Sequence, residues 1–168
     1  MFKIGDKIIY GKTGVCEVIE IKEMSMTSDG KKELYYNLKP IYQQGSTIFT
    51  PVNNNKIAMR SIITKSEALK LIKQIPKIQA KPFSFKARRD VVEYYEKTLN
   101  SLDYHNLIEL AVTIYEKKQD AEKNKKAVSS IDEKFMKKAE ELLFVELAAV
   151  LSVDKNEIPA LIEAEKEE

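Results

Sequence analysis

Gly11-Lys12-Thr13 is the first stretch with a chemical suggestion in it, because phosphate-binding loops end in glycine, lysine and a hydroxyl residue. Such a loop also needs a glycine five residues earlier and a following helix whose N-terminal amides face the phosphate. Gly5 stands six before Gly11, and the residues after Gly14 alternate like a strand, so the tripeptide reads as a turn. The single cysteine, Cys16, excludes an internal disulfide and a multi-cysteine zinc site, and its strand-like setting reads as a small buried side chain. His105 is the only histidine and has no cysteine company, so neither a zinc site nor a Ser-His-Asp triad assembles around it. The carboxylates lie mostly beside lysines on helical patterns, as solvated i,i+4 partners do. The expectation is a protein without catalysis, cofactor or metal.

The other chemically pointed stretch is the run from Pro76 to Arg89, with five basic residues and no acidic one. Phe83 and Phe85 stand among them, beside Lys86, Arg88 and Arg89. The run can be a hinge, a device for touching nucleic acid, or a hydrophobic staple in which Phe85 packs before a helix against Val91, Val92 or Tyr95. Phe83 fits the staple better. Lys123, Lys125 and Lys126 form a second basic group that reads as a solvated face.

The elements that must position these residues differ between the two ends of the chain. Up to about residue 60, short apolar runs are broken by turn residues: Lys7 to Tyr10, Val15 to Ile21, Leu34 to Leu38, Gly45 to Thr50 and Ile57 to Ile63. Ser28-Asp29-Gly30 is a turn signal, and Pro51 stops the fourth run. Five strands of this length predict a small SH3- or Tudor-like barrel over residues 1–63. Residues 64–168 have a helical period. Thr64-x-x-Glu67 is a capping box for a helix ending near Gln74, and Pro76 and Pro82 bracket a linker. Further helices are predicted from Ala87 to Asn100, through Leu107 to Tyr115, after Ser129 or Ser130, and near Glu157 to Glu165. The fold class is α+β, a five-stranded barrel followed by an all-helical domain.

Bulk properties narrow the setting. A hydrophobic content of 43% supports a packed core, and the net charge of +2 is too small to argue for nucleic-acid binding. Asp154 to Glu168 carries six acids and two lysines, so the rest of the chain is more basic than the total suggests. No window approaches the ~20 apolar residues of a membrane span. The start of the chain lacks the apolar core of a signal peptide, which predicts a cytoplasmic location.

Phe2-Lys3-Ile4-Gly5-Asp6-Lys7-Ile8-Ile9-Tyr10, followed by Gly14, Val18, Tyr35-Tyr36-x-Leu38, Pro51 and Met59-Arg60, resembles the opening domain of the CarD/CdnL family of bacterial transcription regulators. The resemblance continues through Ser101-x-Asp103, Leu110 to Tyr115, Ser129-x-x-Asp132, Ala139-x-x-Leu142 and Glu146-Leu147-Ala148. It implies a two-domain protein that docks on the RNA polymerase β subunit through a Tudor-like domain shared with transcription-repair coupling factors; a monomer is expected because an intrachain bundle accounts for the apolar faces. The implied docking element is Thr47-Ile48-Phe49-Thr50, a strand edge laid against a β-subunit strand. It further implies that the helical domain meets promoter DNA at the upstream edge of the opened bubble and modulates open-complex stability.

Two departures stand out. Some family members carry an arginine near Phe49, so an aromatic there implies a more apolar and less salt-sensitive contact. Relatives insert a tryptophan into the minor groove, and this chain has none. Phe85 is the nearest aromatic to that position, with Lys86, Arg88 and Arg89 as the phosphate contacts. An alternative keeps the polymerase docking and gives the helical domain a protein partner in place of DNA.

Overall fold

The computed structural model describes every residue except Thr27, Asp29, Gln44, Pro82, Glu167 and Glu168. The predicted turn at Asp29, the second bracket of the linker at Pro82 and the last two acids therefore lie outside the described residues. The chain divides into two compact units, Met1–Ile62 and Ile63–Glu168.

The first unit is a five-stranded antiparallel sheet: β1 (Lys7–Tyr10), β2 (Gly14–Met24), β3 (Glu33–Pro40), β4 (Ile48–Pro51) and β5 (Met59–Ser61). Their order across the sheet is β4-β3-β2-β1-β5. The expected closure into a barrel is not found: among the described residues no ladder joins β4 to β5, which remain the two edges. Edge strands of three and four residues, at about 3.3 Å each, are too short to curl round and meet.

β2 accounts for the irregular alternation of its sequence. Val18 faces Leu38 and Glu20 faces Asn37, leaving Ile19 as the extra residue of a bulge. The bulge resets the pleat, so Cys16 and Val18 before it and Ile21 after it all reach the core with Ile8, Tyr10, Tyr36 and Leu38. Burial pushes the Cys16 thiol up to about 11, which makes it an inert core side chain. Gly11, at φ +47, opens a 3-10 turn, and a Cβ there would come 2.8 Å from Ile57 Cγ2. The glycine serves a crowded corner between β1 and β2, with no phosphate loop or following helix.

The second unit packs α1 (Lys65–Gln74), α2 (Arg88–Asn100), α3 (Tyr104–Lys123), α4 (Ser130–Leu151) and α5 (Ile158–Ala164). Its core joins Leu71, Ile72, Tyr95, Leu99, Leu107, Ile114, Phe135, Leu143, Leu147 and Ile158 from all five. Thr64 and Glu67 form the reciprocal capping box, and Asp103 and Ser129 cap α3 and α4. These satisfy amides that a helix start otherwise leaves without partners. The buried Glu146 carboxylate accepts the Ile63 amide at 3.0 Å, fixing the first residue of this unit to α4.

Candidate functional site

The β4 edge is defined by its register. Tyr36 opposes Thr50, Asn37 opposes Phe49, and the Val52 amide donates to the Leu34 carbonyl at 2.8 Å. The backbone groups of Ile48, Thr50 and Val52 therefore face β3, and those of Thr47, Phe49 and Pro51 face away from it. Pro51 has no N–H, and its carbonyl accepts from Asn54 at 3.1 Å. Among the described residues, this leaves the N–H and C=O of Phe49, with those of Thr47, as the open stretch. The pleat splits the side chains in the same way. Ile48 packs on the core, Thr50 is buried and accepts from Asn54 Nδ2 at 2.9 Å, and Thr47 and Phe49 are exposed. Of the four residues singled out in the sequence, two present themselves and two hold the strand in place.

Sequence reading missed what lies beside Phe49. Lys22, from β2, sets its ammonium 5.1 Å from the centre of the Phe49 ring and pairs with Glu20 at 3.0 Å. Hydrogen bonds from Lys22 and then Asn37 hold the Glu20 carboxyl below its usual range. A cation thus stands over the aromatic side chain of the edge strand. The signal was present in the pairing of Lys22 with Tyr35 and of Asn37 with Phe49, but it needs the register after the bulge.

The junction is built differently. The Lys81 amide donates to Thr113 Oγ1 at 2.9 Å, and Lys81 Nζ lies 3.9 Å from Glu109, so this stretch is tied to α3. Phe83 then packs into the helical core, 4.9 Å from the Tyr94 ring and 5.5 Å from the Tyr95 ring. This is the staple expected of it. Phe85 sits one layer out, 5.4 Å from both Phe83 and Tyr94, and keeps 38% of its surface exposed. Its ring contacts are to Phe83 and Tyr94; the expected partner Tyr95 touches Phe83 instead.

Lys86, Arg88 and Arg89 are exposed and, among the described residues, form no ion pair. Arg88 and Arg89 occupy the first turn of α2, whose N-cap, Ala87, has no side chain to cap with. The helix dipole favours acids there; Asp90 supplies one in the same turn, and the two arginines work against it. Every other helix of ten or more residues in this unit starts with a side-chain cap. A basic, uncapped start is a local cost of the kind that collects at functional sites.

Beneath Phe83 lies a polar cluster that no sequence pattern signalled. The Tyr95 hydroxyl donates to Asp132 Oδ1 at 2.6 Å, and Lys117 Nζ pairs with Asp132 Oδ2 at 2.8 Å while standing 5.1 Å over the Phe83 ring. Burial, and then the Asp132 carboxylate, push the Tyr95 hydroxyl well above its ordinary pKa. Ser129-x-x-Asp132 has the spacing of a capping box, as does Ser130-x-x-Glu133. Ser129 does accept the Asp132 amide, at 3.3 Å, but the carboxylate turns to Tyr95 and Lys117. Phe85, Lys86, Arg88, Lys117 and the start of α4 line an open cleft of about 470 Å³. The lone His105 stacks on Tyr104 at 4.6 Å on the surface of α3.

Residues 2–63 match the family model of the CarD-like/TRCF RID domain. The N-terminal unit belongs to that domain family, and the resemblance read from Phe2 to Arg60 to a CarD-like protein stands. The domain is a non-enzymatic module for interaction with RNA polymerase, which gives the coarse function of this unit. No curated protein matches the chain. Among the described residues, no helix is long and apolar enough to cross a membrane.

Proposed function

We propose that the chain is a transcription regulator that binds the RNA polymerase β subunit through residues 1–63 and modulates promoter open-complex stability through residues 64–168. It acts as a monomer on polymerase in the cytoplasm, at the nucleoid. The observation that carries the reading is the open β4 edge at Thr47 and Phe49, which lies inside the polymerase-interacting domain. A β-subunit strand pairs with the free Phe49 backbone, and the Phe49 ring beneath Lys22 adds an apolar contact beside it.

The DNA step is supported by the exposure of Phe85 and by the uncapped basic start of α2. Phe85 meets a base step at the upstream edge of the bubble, while Lys86, Arg88 and Arg89 neutralise phosphates beside it. Unstacking one step costs a few kcal/mol, recovered through contacts to the distorted duplex. A ring already leaning on Phe83 and Tyr94 is held rigid, so little side-chain entropy is lost on insertion.

A second reading, a polymerase-tethered adaptor whose helical domain binds a protein, is favoured by one fact: the chain has no tryptophan. Photo-crosslinking from position 85 in a promoter complex separates the two. Crosslinks to upstream-edge DNA support the wedge, and crosslinks to protein alone replace it with the adaptor. Copurification of the full chain with the β subunit tests the docking common to both, and absence of binding removes it.

A further inference from the structure

On the helical unit, away from Phe85, lies a groove of about 490 Å³ to which none of these roles has been given. Its floor is apolar: Ile75 and Ile78 after α1, Val112 of α3, Leu143 and Phe144 of α4, and Ile162 of α5. Tyr115 stands half-exposed on the wall. The rim is acidic, with Glu116, Glu140 and Glu163 against a single lysine, Lys166, which is taken by Glu163 at 2.8 Å.

Glu140 is the telling member. Half-buried on α4, its carboxylate has no hydrogen bond or ion pair among the described residues. The cation whose charge acts on it, Lys118, pairs with Glu133 at 3.7 Å. Desolvation pushes the Glu140 carboxyl above its usual range, only partly offset by Lys118. An ionised group held in this way is stabilised by an incoming cation that brings its own apolar neighbours.

We propose that this groove docks a short amphipathic helix of a partner protein, with apolar anchors on the floor and a lysine or arginine on Glu140. Charge decides the partner: an acidic helix or an anionic lipid surface meets Glu116 and Glu140, which Lys166 does not neutralise because it pairs with Glu163, whereas a basic apolar-faced helix meets its complement. This surface is separate from Phe85, so it stands whether or not Phe85 meets DNA.

The test is fluorescence anisotropy of the full chain with a labelled 16-residue model helix bearing leucines at i, i+3, i+4 and i+7 and one flanking lysine. Its glutamate-for-lysine counterpart and dodecylamine are the controls. The lysine helix is expected to bind at least about tenfold tighter than the glutamate helix, a difference of about 1.4 kcal/mol. Glu140→Gln is expected to remove that preference, and Glu140→Lys to reverse it. Glu140→Gln relieves a desolvated charge, so an unchanged or raised melting temperature shows that the fold persists. Equal binding of the two helices, or a preference that survives Glu140→Gln, overturns the proposal. Dodecylamine that competes as well as the helix reassigns the groove to a small hydrophobic cation and also overturns it.

Discussion

The β4 edge and the Phe85 junction are both surfaces with an exposed phenylalanine, yet they are made of different material. At β4 the open groups are backbone, directed outward by the register with β3, and the Phe49 side chain decorates them. At the junction the open groups are side chains, and their direction depends on a stack running from Phe85 through Phe83 to Tyr95, Asp132 and Lys117. A backbone edge tolerates a change of side chain and fails when a donor is lost. A side-chain stack behaves in the opposite way.

The largest expected effect is at the edge. Phe49→Pro removes the outward N–H without touching the bonds to β3, and is expected to weaken β-subunit binding about hundredfold, or 2.7 kcal/mol. Phe49→Ala, which keeps the donor, should stay within about tenfold. Binding isotherms for the two variants that coincide would erase the distinction between backbone edge and side chain. At the junction, Phe85→Ala is expected to shorten the open-complex lifetime roughly tenfold while β-subunit affinity holds. A lifetime equal to that of the parent protein removes the wedge.

The stack beneath is tested by Lys117→Met, which leaves the Asp132 carboxylate without its cation. Because Lys117 is partly exposed, the expected loss is about 1–2 kcal/mol of helical-unit stability, read as a lower melting temperature in the helical circular-dichroism signal. The smallest effect is a pH response. Tyr95 has a folded pKa above the value of 10.0 for a free tyrosine, so its contribution is fully present below pH 10. It drains away as pH rises beyond that, where the unfolded chain ionises first. Tyr95→Phe should flatten the alkaline fall in stability, and an undiminished slope would assign it to other groups.

Local features were legible because their causes are local. Thr64-x-x-Glu67 became a complete capping box and Ser129 became a cap, since each side chain reaches an amide three residues on; Asp103, read only as part of a helix break, caps α3 in the same way. The strand runs were legible from their alternation, whereas Thr47 to Thr50 was singled out by the family resemblance. Barrel closure was not legible, because it depends on whether two short edges can meet. Neither were Lys22 over Phe49 or Lys117 over Phe83, since both pairs join segments far apart in sequence.

The sequence by itself determined two units of different period, where most helices begin, and a basic aromatic stretch at the start of α2. Tertiary structure decided that Phe49, and not Thr50, carries the free edge, and that Phe83 is buried while Phe85 keeps an open face. The reason is physical. Pattern and capping act over three or four residues, whereas register, stacking and charge pairing exist only once distant segments have packed.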